Sequence, residues 1–157
     1  MEILSLIEQF QFNFLDDSRW QFIVSGLKNT IIITFFAVLL GVFLGFLIAI
    51  VRSTHDKTGK LKILNVICRV YLTVIRGTPT MVQLLIVYYV IFATVDPGKV
   101  IVAIIAFGMN SAAYVAEIVR SGIMSIDQGQ FEAGRSLGLN YTQTMTKIIL
   151  PQAVKNI

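Results

Sequence analysis

Three stretches without a charged residue dominate this sequence. They cover residues 29–51, 77–95 and 100–116, and they are 23, 19 and 17 residues long. About 20 helical residues cross a bilayer core of about 30 Å, because each adds about 1.5 Å along the helix axis. We therefore predict an all-α integral membrane protein, in which the third stretch needs its flanking residues to complete a crossing.

The amino-acid composition excludes several classes of protein. Of the 157 residues 55% are hydrophobic and only 14% are charged, against about 25% charged in ordinary soluble domains. The hydrophobicity excludes disorder, and a lone cysteine excludes an internal disulfide framework, so Cys68 is expected to be a buried structural thiol. Residues 1–24 are net acidic and lack the positive start of a cleaved signal peptide.

The positions of Lys and Arg predict the orientation. Four of them lie in 52–62 against one aspartate, and four more lie in 120–155, whereas 96–99 is short and balanced. The positive-inside rule then places 52–62 and 120–155 in the cytoplasm, with the N-terminus and 96–99 outside. The basic residues form no stripe with interleaved aromatics, so no nucleic-acid partner is expected. His55 is interpreted as a solvated loop residue.

These observations divide the chain into an extracytoplasmic segment 1–24 and a transmembrane domain 25–157. We predict spans at about 27–51, 63–95 and 99–119, a loop at 121–147 and the start of a fourth span at 148–157. The first span carries Gly41 and Gly45 at the spacing that lets two helix backbones approach, although chance explains such a pair equally well.

The second predicted span is interrupted. Arg76, Gly77, Thr78 and Pro79 break the helix, because proline removes a backbone donor and disfavours helical geometry at the preceding residue. Before the break, Lys62, Arg69 and Arg76 are seven residues apart and share one helical face. That face is expected to lie at the membrane interface, or to meet protein or headgroups. Beyond the break, Gln83 is the polar exception in an apolar run.

The third predicted span contains polar residues. A carboxylate at bilayer depth costs roughly 2.5–3.5 kcal/mol, so Glu117 either lines a solute path or is neutralised by Arg120 three residues later. Asn110 lies near mid-span, where hydrogen bonding to another helix and contact with a solute are both open.

The loop after the third span has helix-forming signals. Ser125 and Asp127 each precede a glutamine by three residues, which is typical of a helix N-terminus. We predict short helical turns after it, with Phe131 and Leu137 exposed as anchors. A re-entrant turn at the membrane interface is the alternative.

A spaced signature follows. The chain follows the pattern EAA-x3-G-x9-I-x-LP with one departure, glycine for alanine at 134. Three residues separate the triplet Glu132, Ala133 and Gly134 from Gly138, and the pattern ends at Ile148, Leu150 and Pro151. This signature resembles that of the membrane subunits of ABC importers. Matches at 26–30, 76–79 with Gln83, 113–120 and 129–130 resemble the polar amino acid branch.

The resemblance implies a type I ABC importer transmembrane domain in the bacterial inner membrane. It implies a second membrane subunit, a cytoplasmic ATPase dimer, an extracytoplasmic solute-binding protein and an amino acid solute. A helix at about 127–140 would couple the chain to the ATPase. The coupling residues it implies are Glu132, Ala133, Gly134, Arg135 and Gly138. The candidate solute path comprises Gln83, Asn110, Ser111, Tyr114 and Glu117.

The chain lacks a G-x-x-x-x-G-K-[ST] phosphate loop and a catalytic constellation. We therefore expect no catalysis and no cofactor in this chain, with ATP bound by the partner ATPase. Family members continue through about two more spans, so a fragment is expected. A stand-alone carrier or channel and a membrane scaffold are the rival interpretations, and neither explains the spaced signature.

Overall fold

The computed structural model describes residues 5, 8–15, 18–95 and 97–157, and every regular element within these ranges is helical. The α-helices are α1 (Trp20–Thr58), α2 (Lys62–Gly77), α3 (Thr80–Ile86), α4 (Lys99–Met124), α5 (Gln128–Ser136), α6 (Tyr141–Thr144) and α7 (Leu150–Ala153). Short π-helical turns occur at Gln11–Leu15, Val87–Ile91 and Met145–Ile149. The predicted outer turn includes Asp96, which lies outside the described residues, as does part of segment 1–24.

Helix α1 is much longer than the predicted span. Its 39 residues correspond to about 58 Å, nearly twice the thickness of a bilayer core. The helix ends where Gly59 adopts a left-handed conformation and its N–H donates to the His55 carbonyl at 2.8 Å. His55 is not simply solvated: it is half-buried, and its Nδ1 lies 2.8 Å from the Lys60 carbonyl.

Helices α1 and α4 pack backbone against backbone. A Cβ atom added to Gly41 would lie 2.6 Å from the Ser111 side chain, and one added to Gly45 would lie 2.7 Å from Val115. Side chains larger than hydrogen are therefore excluded at both positions. The two glycines are a packing motif and not a chance pair.

Helices α2 and α3 are two arms of a bent pair. Thr78 is extended (φ −118°, ψ 144°) before Pro79, as the proline requires. The axes on either side are bent by 112°. Helices α1 and α4 are each long and apolar enough to cross a membrane, and the bent pair is a candidate for a third crossing.

The largest apolar cluster joins the ends of α1 and α4 to the segments that follow. It includes Ala49, Ile123, Phe131 and Ile149. The prediction that Phe131 is exposed is wrong: only 9% of it is accessible, because its ring packs in this shared cluster, whereas Leu137 is 76% exposed. Cys68 is only partly buried, contrary to expectation, because α2 buries little more than its Asn65 and Leu72 face.

Candidate functional site

A buried glutamine closes the break between α2 and α3. Gln83 is 8% exposed, and its Nε2 donates to the Thr78 carbonyl at 2.9 Å and to the Thr78 hydroxyl at 2.8 Å. It also donates to the Ile75 carbonyl. Carbonyls at a helix C-terminus have no partner within the helix. The Gln83 amide supplies that missing donor, which is why a polar residue lies in an apolar run.

The same glutamine reaches α4. Asn110 Nδ2 donates to Gln83 Oε1 at 3.0 Å. Two residues of the predicted solute path are thus in direct contact, and hydrogen bonding between helices is what Asn110 does in this structure.

A cleft of about 570 Å³ opens on the other side of Asn110, between α1 and α4. Ser111 and Tyr114 also line it, together with Thr30 and Thr34 from α1. The cleft therefore combines hydroxyl and amide groups with apolar walls, which is typical of small-molecule sites. Gln83 and Glu117 lie outside the lining.

Glu117 is the centre of a charge network. Its carboxylate accepts a hydrogen bond from Arg52 of α1, lies 3.8 Å from Arg76 and lies 4.0 Å from Arg120. The predicted pair with Arg120 is therefore the longest of three contacts. Arg120 bonds more closely to Asp56 of α1, at 2.9 Å.

Arg52 and Asp56 are the residues that sequence reasoning missed. A usable signal was present, because Arg52 and Asp56 follow the first predicted span, Glu117 ends the third, and both of these spans run from the outside to the cytoplasm. Charges near the same end of two parallel helices lie at similar depth, and α1 and α4 are parallel because Gly41 meets Ser111 and Gly45 meets Val115. The network connects α1, α4 and the break after α2, and Arg52 Nε has no hydrogen-bond partner among the described residues.

Asp127 caps the N-terminus of helix α5. Its carboxylate accepts a hydrogen bond from the Gly129 N–H at 2.6 Å, which satisfies an unpaired donor of the first turn. Ser125, the other candidate cap, instead donates to the Gly122 carbonyl at 2.8 Å. Beyond α5, Gly138 has φ 77°, a conformation that glycine adopts without steric cost.

The predicted coupling residues fall on two faces of α5. Glu132, Ala133 and Arg135 are exposed, whereas Gly134 is buried. A Cβ atom at Gly134 would lie 2.7 Å from Thr144 Cγ2. Glycine in place of alanine therefore lets α5 approach α6 closely.

Helix α5 borders a second cleft, of about 670 Å³, and contributes Phe131, Glu132 and Arg135 to its lining. Lys57 at the end of α1 places its Nζ 4.6 Å from the Phe131 ring centroid, a cation–π contact. Tyr141 donates weakly to the Thr54 hydroxyl across 3.5 Å. Burial raises the pKa of Tyr141. Helix α5 is thus held to both α1 and α6.

The sequence of this chain matches a known protein family. The family described as "binding-protein-dependent transport system inner membrane component" matches residues 41–157. The chain belongs to this family. The resemblance predicted from the spaced signature is confirmed, and so is the all-helical importer fold.

Individual relatives of this permease family narrow the resemblance. The probable amino-acid ABC transporter permease YckA of Bacillus subtilis is 35% identical over 96% of this chain and 67% of its own length. The L-cystine transport system permease TcyB of the same organism is 35% identical over 97% of this chain and 63% of its own length. The putative glutamine transport system permease GlnP of Rickettsia prowazekii is 38% identical over 87% of this chain and 61% of its own length.

A solved permease-family structure agrees in shape. It is a crystal structure of an amino acid ABC transporter with histidines, with a TM-score of 0.68 and 37% identity, and it covers 85% of this chain and 65% of that one. The chain thus spans about two thirds of the length of the proteins it matches.

Proposed function

We propose that this chain forms the solute pathway of an ATP-driven amino acid importer and couples it to a separate cytoplasmic ATPase through α5. The relatives, which include permeases named for amino acids, L-cystine and glutamine, support the solute class. The cleft at Asn110, Ser111 and Tyr114 is the proposed solute contact, because it offers polar groups between two crossing helices.

One observation carries the coupling role: α5 has an exposed charged face and an anchored apolar face. Glu132 and Arg135 are exposed, while Phe131 packs in the core that contains the ends of α1 and α4 and Gly134 packs against Thr144 of α6. A force applied to the exposed face is therefore transmitted to the spans, because packed interiors shift as units.

The remaining parts of the proposal concern partners and orientation. The partners are a second membrane subunit, an ATPase dimer that binds ATP and an external solute-binding protein. The N-terminus lies outside, and α5 lies on the cytoplasmic side with the basic segment 52–62, as the positive-inside rule favours.

The test is ATP-dependent uptake of glutamine, cystine and arginine by proteoliposomes that contain the importer complex with this chain. Glu132→Lys is expected to lower solute-stimulated ATP hydrolysis at least about tenfold. The new lysine would face the basic group of the ATPase that pairs with Glu132, and such a like-charge contact costs several kcal/mol at an interface. Membrane insertion is expected to be unchanged. Glu8→Lys is the matched control, because it reverses an exposed carboxylate far from α5.

Normal stimulation in Glu132→Lys would contradict the coupling role. Uptake without nucleotide would indicate a stand-alone carrier. Complete absence of uptake in the unsubstituted complex would indicate a scaffold.

A further inference from the structure

Helix α2 presents an apolar face that no other described residue of this chain covers. Asn65 and Leu72 are its buried residues. Ile63, Val66 and Val70 on the other faces are 78%, 57% and 59% exposed. Because α2 and the following segment are bent by 112°, the two cannot both lie along the bilayer normal. An inclined α2 places its exposed side chains along the boundary between acyl chains and headgroups.

Two cations share this helix without a protein counter-charge. Lys62 and Arg69 are both exposed, and within the described ranges neither has a carboxylate within salt-bridge distance. The third cation of the row, Arg76, lies 3.8 Å from Glu117 and is thus drawn to the protein. Lys62 and Arg69 are about 10 Å apart along the axis, and long side chains can extend toward one headgroup layer.

A groove lies next to one of the two cations. It has a volume of about 300 Å³, and Val66, Val70 and Val74 line it together with Arg69 and Thr73. Apolar walls with a guanidinium at the edge suit a molecule that carries a negative group at the end of a hydrocarbon chain.

Charge complementarity decides between a second copy of this chain and a lipid. A second copy would need a free carboxylate to face Arg69. Among the described acids, Asp56 and Glu117 already pair with arginines, and Asp127 caps α5. The two remaining described carboxylates, Glu8 and Glu132, are exposed, so contact of a second copy through one of them is an outcome that the test separates. A phospholipid with a net negative headgroup supplies both the charge and the hydrocarbon.

We propose that the face formed by Lys62, Val66, Arg69, Val70 and Val74 is a binding site for an anionic phospholipid. The headgroup phosphate lies between the two cations, and an acyl chain occupies the groove. Basic clusters beside membrane helices attract anionic lipids with an energy that corresponds to about fivefold in affinity for each cation.

The test uses the full chain in nanodiscs, with a tryptophan reporter in the groove. Trp20→Phe removes the one native tryptophan, and Val66→Trp places the reporter. Fluorescence quenching is measured with brominated phosphatidylglycerol and, separately, with brominated phosphatidylcholine at equal mole fraction. Stronger quenching by phosphatidylglycerol is expected. Arg69→Gln and Lys62→Gln are each expected to reduce that preference about fivefold.

Two further variants separate lipid binding from structural damage. Arg69→Lys keeps the charge and is expected to restore most of the preference. Arg135→Gln removes an exposed cation on α5 and is expected to leave it unchanged. Equal quenching by both lipids, or a preference unaffected by Arg69→Gln and Lys62→Gln, would overturn the proposal. Absence of quenching by either lipid would indicate that a second copy covers the face, which also overturns it.

Discussion

Asn110 Nδ2 donates to Gln83 Oε1 at 3.0 Å, and this bond ties the middle of α4 to the break between α2 and α3. Gln83 at the same time donates to the carbonyl and the hydroxyl of Thr78. One buried side chain therefore holds the bend and joins it to a neighbouring helix. The first prediction concerns this pair.

Gln83→Ala is expected to destabilise the chain by about 1–3 kcal/mol, because it leaves the Asn110 amide and the Thr78 carbonyl without their partner. Asn110→Ala removes one bond only and is expected to cost less. The measurement is unfolding in mixed micelles by a titrated denaturing detergent, completed as a double-mutant cycle. Additive effects of the two substitutions would contradict a direct interaction, since interhelical bonds in membranes couple by about 0.6 kcal/mol, up to about 1.7.

The charge network gives a second prediction. Arg52 and Glu117 are 15% and 28% exposed at their side chains, so Glu117→Gln leaves a largely desolvated guanidinium without its counter-charge. The expected loss of stability is about 1.5–3 kcal/mol, as for other hydrogen bonds to charged groups. Asp56→Asn is the matched control, and it is expected to cost less because Asp56 pairs with a single arginine.

The same variant tests the solute path. If Glu117 contacts the solute, Glu117→Gln alters uptake affinity or selectivity beyond any loss of folded complex. Unchanged kinetics per folded complex would assign Glu117 to the network alone.

The third prediction concerns the contact between α1 and α4. Gly45→Ala forces a Cβ atom to within 2.7 Å of Val115 Cβ and 2.9 Å of the Ala112 carbonyl. Overpacking of this kind costs about 1–3 kcal/mol. Gly26→Ala, where nothing lies within 4 Å, is expected to be neutral or stabilising. Thermal unfolding in detergent compares the two, and equal behaviour would contradict the close approach.

The fourth prediction is a pH dependence at Tyr141. Burial raises the pKa of Tyr141 above the ordinary tyrosine value of about 10, so the folded state binds the phenolic proton more tightly than the unfolded state. The resulting stabilisation is complete below about pH 10 and is lost as the pH rises through the raised pKa. Unfolding is measured from pH 8 to 11 for the unsubstituted chain and for Tyr141→Phe.

Tyr141→Phe is expected to lose less stability over that range, because phenylalanine has no proton to release. The same alkaline loss in both proteins would contradict the assignment to Tyr141. The difference in phenolate absorbance between the two proteins, followed in the same titration, reports ionisation of Tyr141 and separates it from the other four tyrosines and from general alkaline unfolding.

Hydropathy and charge placement were sufficient to predict the membrane class. Proline chemistry was sufficient to predict the break at Thr78 and Pro79, and the spaced signature was sufficient to predict the family. These features depend on local chemistry: chain length against bilayer thickness, proline geometry, and residue types at fixed intervals. Exposure was harder to predict. Phe131 was expected to be exposed and is buried, because its environment is an apolar cluster assembled from segments that are distant in the sequence, including Ala49 and Ile149.

Tertiary structure alone decided which polar groups meet. The sequence left Glu117 either paired with Arg120, its neighbour on one helix, or lining a solute path, whereas the structure brings Arg52 from 65 positions away. It also joined Asn110 to Gln83 and turned Gly134 toward Thr144. Contacts between distant segments depend on helix rotation and depth, which are set by the close packing of α1 on α4 through glycine. No local pattern contains that information, because the partners share no sequence interval.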